Sequence, residues 1–478
     1  MFGQSMALQE AKPFMNALLS FRRRNIWMHW AADATFFQNL TPGHLSVRGK
    51  TMTDSCISKQ YLAGLAILAL VAGCASDQGG GPATNAATNA TVGNPASAND
   101  FGGSGVVLNT SIAAPFVLFQ NDSVSRLVNR DGGAVKPDGV NNIYSLGAYV
   151  DPNDSNRVKL FVNDRANNRV LIFNTIPQDA TALPDVVVGQ ANFTSGTANA
   201  GAGTSAVGFN ENVHMSVCSD GKMFVSDRNN NRVLVYNQVP TANGTAADFV
   251  IGQPDFLTNT AATTATGVNH PYAAYCMANK LFVIEQGNHR ILVFDPIPTA
   301  TNPAAAYVIG QPDMVTGTSG CTAGKLNSPY EILRYDDTFF IADGGNQRVL
   351  EFDTIPAASG ATATAVLGQV DFTSCLQNKT NTTIPTDRTL AFPNALAAKG
   401  NLLAVSDHTN NRTMFFDLPI TTDQSASKQI GQPDFVTSTN VTPPTANSVT
   451  TTKGLIFDQQ YLWIGDGGNH RLAVIPLP

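Results

Sequence analysis

Six stretches of this chain repeat one pattern: an apolar run, an acidic residue, a short polar turn ending in Asn-x-Arg, and a second apolar run. They read LFVNDRANNRVLIFN (160–174), MFVSDRNNNRVLVYN (223–237), LFVIEQGNHRILVFD (281–295), FFIADGGNQRVLEFD (339–353), LAVSDHTNNRTMFFD (403–417) and LWIGDGGNHRLAVIP (462–476). The arginines Arg169, Arg232, Arg290, Arg348, Arg412 and Arg471 lie 63, 58, 58, 64 and 59 residues apart. A period this long means stacked supersecondary units, none of which can bury its apolar face alone.

The unit 267–313 shows what is stacked. Residues 271–276 suit a first strand, LFVIE a second, RILVFD a third and 306–310 a fourth. Pro296 and Pro298 stop the third strand, because proline has no amide for a ladder. Four short antiparallel strands per unit, six times over, predict an all-β, six-bladed β-propeller. The last copy ends at Pro478 without a fourth strand, and residues 116–122 (FVLFQND) are similar to 249–255 (FVIGQPD). The N-terminal segment is therefore expected to supply the outer strand of blade six and close the ring; a seven-bladed ring is the alternative.

The D-x-x-N-x-R-V pattern resembles the NHL repeat family, whose units are propeller blades, and the resemblance spans about residues 106–478. Asp164, Asp227, Asp343, Asp407 and Asp466 hold the acidic position, and Glu285 departs from it. Six equivalent copies point to structure, not catalysis. The planar fork of each arginine can reach the carboxylate and backbone carbonyls, and the Asn suits a left-handed turn. A second recurrent motif, Gly-Gln-Pro-Asp at 252–255, 310–313 and 431–434, is expected to shape the passage between blades.

The front of the chain reads as an address. Residues 61–74 (YLAGLAILALVAGC) carry an apolar run too short to span a bilayer as a helix and of signal-peptide length. Its end, LVAGC, resembles the lipobox of bacterial lipoproteins, which implies cleavage before Cys74 and lipidation there; an ordinary cleaved signal is the alternative. Ala75 and Ser76 are similar to an outer-membrane sorting pattern, if the host has such a membrane. The division that follows is 1–51 as a mis-assigned start or disordered extension, 52–73 as signal peptide, 74–105 as a flexible Gly/Ala/Asn tether and 106–478 as propeller.

Charge narrows the partners. The chain holds 29 Lys/Arg and 35 Asp/Glu; residues 1–73 take seven and three, which leaves 22 and 32, a net −10. A body this acidic argues against nucleic acid, whose binding draws on Lys and Arg.

Counting back from the acidic position aligns the first strands. His214, Tyr272, Tyr330, Asn394 and Lys453 then fall at one level near the channel mouth, with Tyr144 as the approximate counterpart in blade one, which carries an insertion; unlike the motif, these residues differ from blade to blade. Variation on a symmetric frame is what a ligand site needs. No cofactor is predicted; zinc or calcium would need converging ligands, for which His214 and His270 are the nearest to the first strands. His289 and His470 fill the variable turn position and are expected to face solvent. Cys321 and Cys375 sit in successive inter-blade loops free to meet, whereas Cys218 and Cys276, at aligned positions of adjacent blades, could join only very close to the channel. The expected function is a surface-anchored scaffold for an extracellular or periplasmic protein, peptide or glycan. The alternative is a metal-dependent lyase or lactonase at the channel mouth.

Overall fold

The computed structural model describes residues 116–150, 158–446, 448–457 and 461–476. The segments 1–51, 52–73 and 74–105, with Cys74, lie outside the described residues. Among the described residues the chain forms six antiparallel sheets of four strands each.

Blades one to six begin with the strands Ile143–Val150, Asn212–Val217, Pro271–Met277, Glu331–Tyr335, Pro393–Lys399 and Thr452–Phe457. These first strands approach those of the neighbouring blades, which makes them the inner wall of the ring. Blade six takes its outer strand from the other end of the chain: Val117–Leu118 pairs antiparallel with Arg471–Pro476, Val117 opposite Ala473 and Leu118 opposite Leu472. The propeller is thus six-bladed and closed by an N-terminal strand, as the repeat count and the missing fourth strand imply.

The core lies between blades. Each of six apolar clusters fills the seam between two neighbours: Phe161 and Met215 between blades one and two, Leu350 and Phe282 between three and four, Trp463 and Leu160 between six and one. Each fully buried Leu or Phe contributes about 1.5–3 kcal/mol, so the energy of the fold sits in its ring closure.

The repeated polar residues fasten loops to that frame. All six arginines are fully buried against their acid. In blade four, Arg348 donates from Nε to Asp343 at 2.9 Å, from Nη1 to the Phe372 carbonyl at 2.7 Å, and from Nη2 to the Thr322 and Lys325 carbonyls at 2.9 Å each. One guanidinium thereby ties the loop after the outer strand to the loop before the inner one. The acid's other oxygen accepts the Asn327 amide at 2.7 Å. In blade three the longer Glu285 keeps the same partners, accepting from the Asn269 amide, Asn288 and Arg290.

The turn itself differs from expectation. The recurrent Asn is not the left-handed residue: Asn346 donates Nδ2 to Asp343 at 2.7 Å. The next residue takes the left-handed conformation in every blade: Asn168, Asn231, His289, Gln347, Asn411 and His470, with φ between 49° and 58°. Its side chain accepts the backbone N–H at the entrance of the following blade. Asn168 takes Glu211, Asn231 takes His270, Gln347 takes Phe392 and Asn411 takes Thr451. His289 takes Ser328 through Nδ1 at 3.0 Å, and His470 takes Asn142 through Nδ1 at 3.1 Å. His289 and His470 therefore do not simply face solvent; they staple one blade to the next. Only Asn, Gln and His fill the position because it asks for an acceptor on a residue with positive φ, where Asn and His are enriched.

The Gly-Gln motif completes the frame. Gly189, Gly252, Gly310, Gly368 and Gly431 all have positive φ, and a Cβ on Gly252 would stand 2.4 Å from the Val268 side chain. The glutamine that follows is buried: Gln253 donates to the Asn231 and Thr260 carbonyls at 2.6 and 2.9 Å. Gln120 does the same for the closing strand, donating to the Leu127 and His470 carbonyls.

Candidate functional site

Three residue positions per blade gather at the end of the channel where the inner strands start. The first is the residue just before the inner strand or its opening pair, left-handed in every blade: Asn142, Glu211, His270, Ser328, Phe392 and Thr451. The second follows two residues later: Tyr144, Val213, Tyr272, Asn394 and Lys453, each at a register irregularity, and Tyr330, just ahead of the fourth blade's inner strand. The third follows the buried acid: Arg165, Arg228, Gln286, Gly344, His408 and Gly467. Backbone geometry is the same six times over, while the side chains are not.

Five of the six sequence-aligned residues occupy this level. His214 does not. The turn of blade two carries one residue more than that of blade three: Val217 pairs with Met223 across five residues, Cys276 with Leu281 across four. Val213 is therefore the counterpart of Tyr272. His214 lies one position deeper, opposite Ser226, at the level of Ser145 and Glu331.

The aromatic residues converge over the channel. The Tyr144 and Tyr272 ring centroids are 6.1 Å apart although their blades are not neighbours. Tyr272 meets Tyr330 edge-on at 4.6 Å, and Tyr330 meets Phe392 at 5.1 Å. Gly344 makes room: a Cβ there would lie 2.6 Å from the Tyr330 ring. The cations stand at the Tyr144 end of this arc. The Lys453 ammonium lies 4.2 Å from the Tyr144 ring centre, and the Arg165 guanidinium 4.5 Å from it, both within cation–π range. Glu211 is 2.6 Å from Arg165 and 3.8 Å from Arg228. Arg165, Arg228, Glu211, Phe392 and His408 were not picked out from the sequence. The signal lay beside the motif, in the residue after each acid and the one leading into each first strand.

These neighbours set the proton affinities. Burial pushes the Tyr144 phenol up, but the positive charges of Lys453, Arg165 and Arg228 outweigh it and hold it below the ordinary tyrosine value. Burial lowers Lys453, which Tyr144 partly offsets. Burial brings His408 down to about 3, with Lys453 adding to the effect. His270 is lowered by burial and by Arg228, against the pull of Glu211.

At the mouth and just below it the inner strands hold polar atoms without a protein partner. Both amide atoms of Asn394 at the mouth, and Ser145 Oγ and His214 Nδ1 one position deeper, are buried and unbonded. The His214 ring meets Tyr275 at 4.5 Å, and burial brings its pKa to about 3, so it stays neutral. Glu331 accepts the Leu396 amide at 3.1 Å.

The metal expectation rested on His214 and His270. They belong to different levels, and among the described residues no three His, Cys, Asp or Glu side chains gather as a metal group. Both cysteine pairs are bonded: Cys321–Cys375 with Cα atoms 6.4 Å apart, and Cys218–Cys276 with Cα atoms 5.5 Å apart. The second pair meets because Cys218 sits at the level of Met277, one residue beyond Cys276.

No family model matches the chain, and no curated protein does. Similar solved structures include the WD40 β-propeller domain of Doa1, at 7% identity over 72% of this chain and 96% of that one, TM-score 0.40. A gluconolactonase from Xanthomonas campestris matches at 13% identity over 77% and 99%, TM-score 0.39. A catalytically inactive virginiamycin B lyase from Staphylococcus aureus, solved with quinupristin, matches at 12% identity over 70% and 96%, TM-score 0.37. At these identities and scores no activity transfers to this chain.

Proposed function

We propose that this protein is an NHL-type propeller that acts as a binding scaffold at the cell envelope, with the channel mouth as its ligand site. The observation that carries the reading is the contrast between frame and mouth. Six identical sets of acid, Asn, Arg and Gln spend their hydrogen bonds on loops, whereas the mouth gathers three tyrosines, a phenylalanine, two arginines and a buried lysine that differ from blade to blade. Aromatic and arginine side chains are what binding surfaces concentrate. The partner is an extracellular or periplasmic protein, peptide or glycan, and no nucleic acid.

Export through the 52–73 signal and a lipid anchor on Cys74 belong to the same proposal. Two disulfides support it, because such bonds persist in oxidising compartments. The alternative, a metal-dependent lyase or lactonase, draws no support from the residues at the mouth.

Glycan and peptide arrays probed with the purified protein and with Tyr330→Ala test the site. Ligands retained by the parent and lost by the variant support it. Array ligands bound equally by both would place binding elsewhere and overturn it.

A further inference from the structure

The mouth combines three features that no single role in folding explains. Arg165, Arg228 and Lys453 bring three cations to it, and among the described residues Glu211 is the one acid that forms an ion pair with any of them. Among the described residues no carboxylate forms an ion pair with Lys453, although that side chain is 9% exposed. Arg165 Nε is buried without a hydrogen-bond partner. A buried cation without a counter-charge is costly, and in a body of net charge −10 this cluster stands against the general field.

The second feature is the set of idle polar atoms. Asn394, at the same level as Lys453 and Tyr144, offers an unpartnered donor and an unpartnered acceptor. Ser145 Oγ and His214 Nδ1 lie one position deeper along their strands, also unpartnered. Buried polar atoms need a partner, from water or from a ligand. A hydroxyl both donates and accepts, so a polyhydroxylated ligand answers this mixture, whereas an aliphatic acid would leave it unmet. The third feature is the half-buried arc of Tyr330 and Phe392, whose rings can cover the C–H face of a sugar.

We propose that the channel mouth binds a carboxylate-bearing saccharide, with the carboxylate against Lys453, Arg165 and Arg228 and the hydroxyls on Asn394 and the polar atoms beneath it. The proposal rests on the reading of the mouth as the ligand site. A carboxylate matches the planar fork of arginine, and one negative charge would halve the excess of two positive charges that Glu211 leaves.

The test is calorimetric titration of the protein with oligomers of galacturonate and glucuronate, with the neutral galactose and glucose oligomers and glucose 6-phosphate as controls. One acidic oligomer is expected to bind at least about tenfold tighter than its neutral counterpart, or about 1.4 kcal/mol. Added salt should weaken the acidic complex and leave the neutral one unchanged. Lys453→Met should remove most of that preference; Arg228→Gln, at a half-buried residue, repeats the test should Lys453→Met disturb folding. Equal binding of acidic and neutral oligomers, preference for the sugar phosphate, or no saccharide binding at all would overturn the proposal. An array ligand still lost on Tyr330→Ala would then leave the mouth as the site and remove only the acidic sugar.

Discussion

Replacing Arg348 with Met removes the most heavily used side chain of blade four and leaves its volume largely filled. Asp343, fully buried, keeps only the Asn327 amide and Asn346 Nδ2 and becomes a charge without a counter-ion. Breaking a buried pair in this way costs about 3–5 kcal/mol. The three carbonyls released, Phe372, Thr322 and Lys325, add little where water reaches them. The orphaned acid should therefore dominate, and the double variant Arg348→Met/Asp343→Asn should be more stable than Arg348→Met alone. Urea unfolding, with constant slope as the check on a common transition, reads both differences. The deficit of the single variant should also shrink on acidification, because protonating Asp343 removes the uncompensated charge. A cost below about 1 kcal/mol for Arg348→Met, or a double variant as unstable as the two single costs added, would refute the view that ion pairing holds these loops.

Three further outcomes follow. Deleting residues 106–125 removes the closing strand and Gln120, so the whole ring should melt at lower temperature; an unchanged melting temperature would contradict the closure. Burial lowers the pKa of His289 and His470, so the unfolded chain takes up the proton first: their contribution to stability is complete above about pH 6.5 and declines as pH falls below it. His289→Asn/His470→Asn keeps an acceptor at both staples and should reduce the pH dependence of the urea midpoint between about pH 7.5 and 5, leaving the part due to His214, His270 and His408. Elemental analysis of protein purified without chelators should find no stoichiometric zinc or calcium; one metal per chain, lost on replacing His214, would move the lyase or lactonase reading ahead.

The sequence carried the fold because the repeat is long, the Arg and acid keep their spacing, and the missing fourth strand points to its replacement at 116–122. The site was legible only in part. Five of the six aligned residues reach the mouth, but a single extra residue in the turn after Val217 moves His214 one level down, and a count from the acid cannot see it. The staples were misread for another reason. Polar residues in a tight turn look solvated, and only the neighbouring blade supplies the N–H that His289 and His470 accept. Arg165, Arg228 and Phe392 were hidden because they flank the motif, and their convergence depends on a left-handed residue that leaves no fixed sequence mark.

The closing strand has a mechanical consequence. A chain held at its N-terminal side and loaded at the mouth would pull first on Val117–Leu118, a strand of two residues. Behind it, Gln120 is bound to the His470 carbonyl and the Arg471 guanidinium grips the Ser123 carbonyl. Tension would therefore peel a short ladder and then meet two deep fastenings in succession. Were the chain anchored ahead of residue 116, that seam would be the element that senses force, and a strong pull would open the propeller between blades six and one.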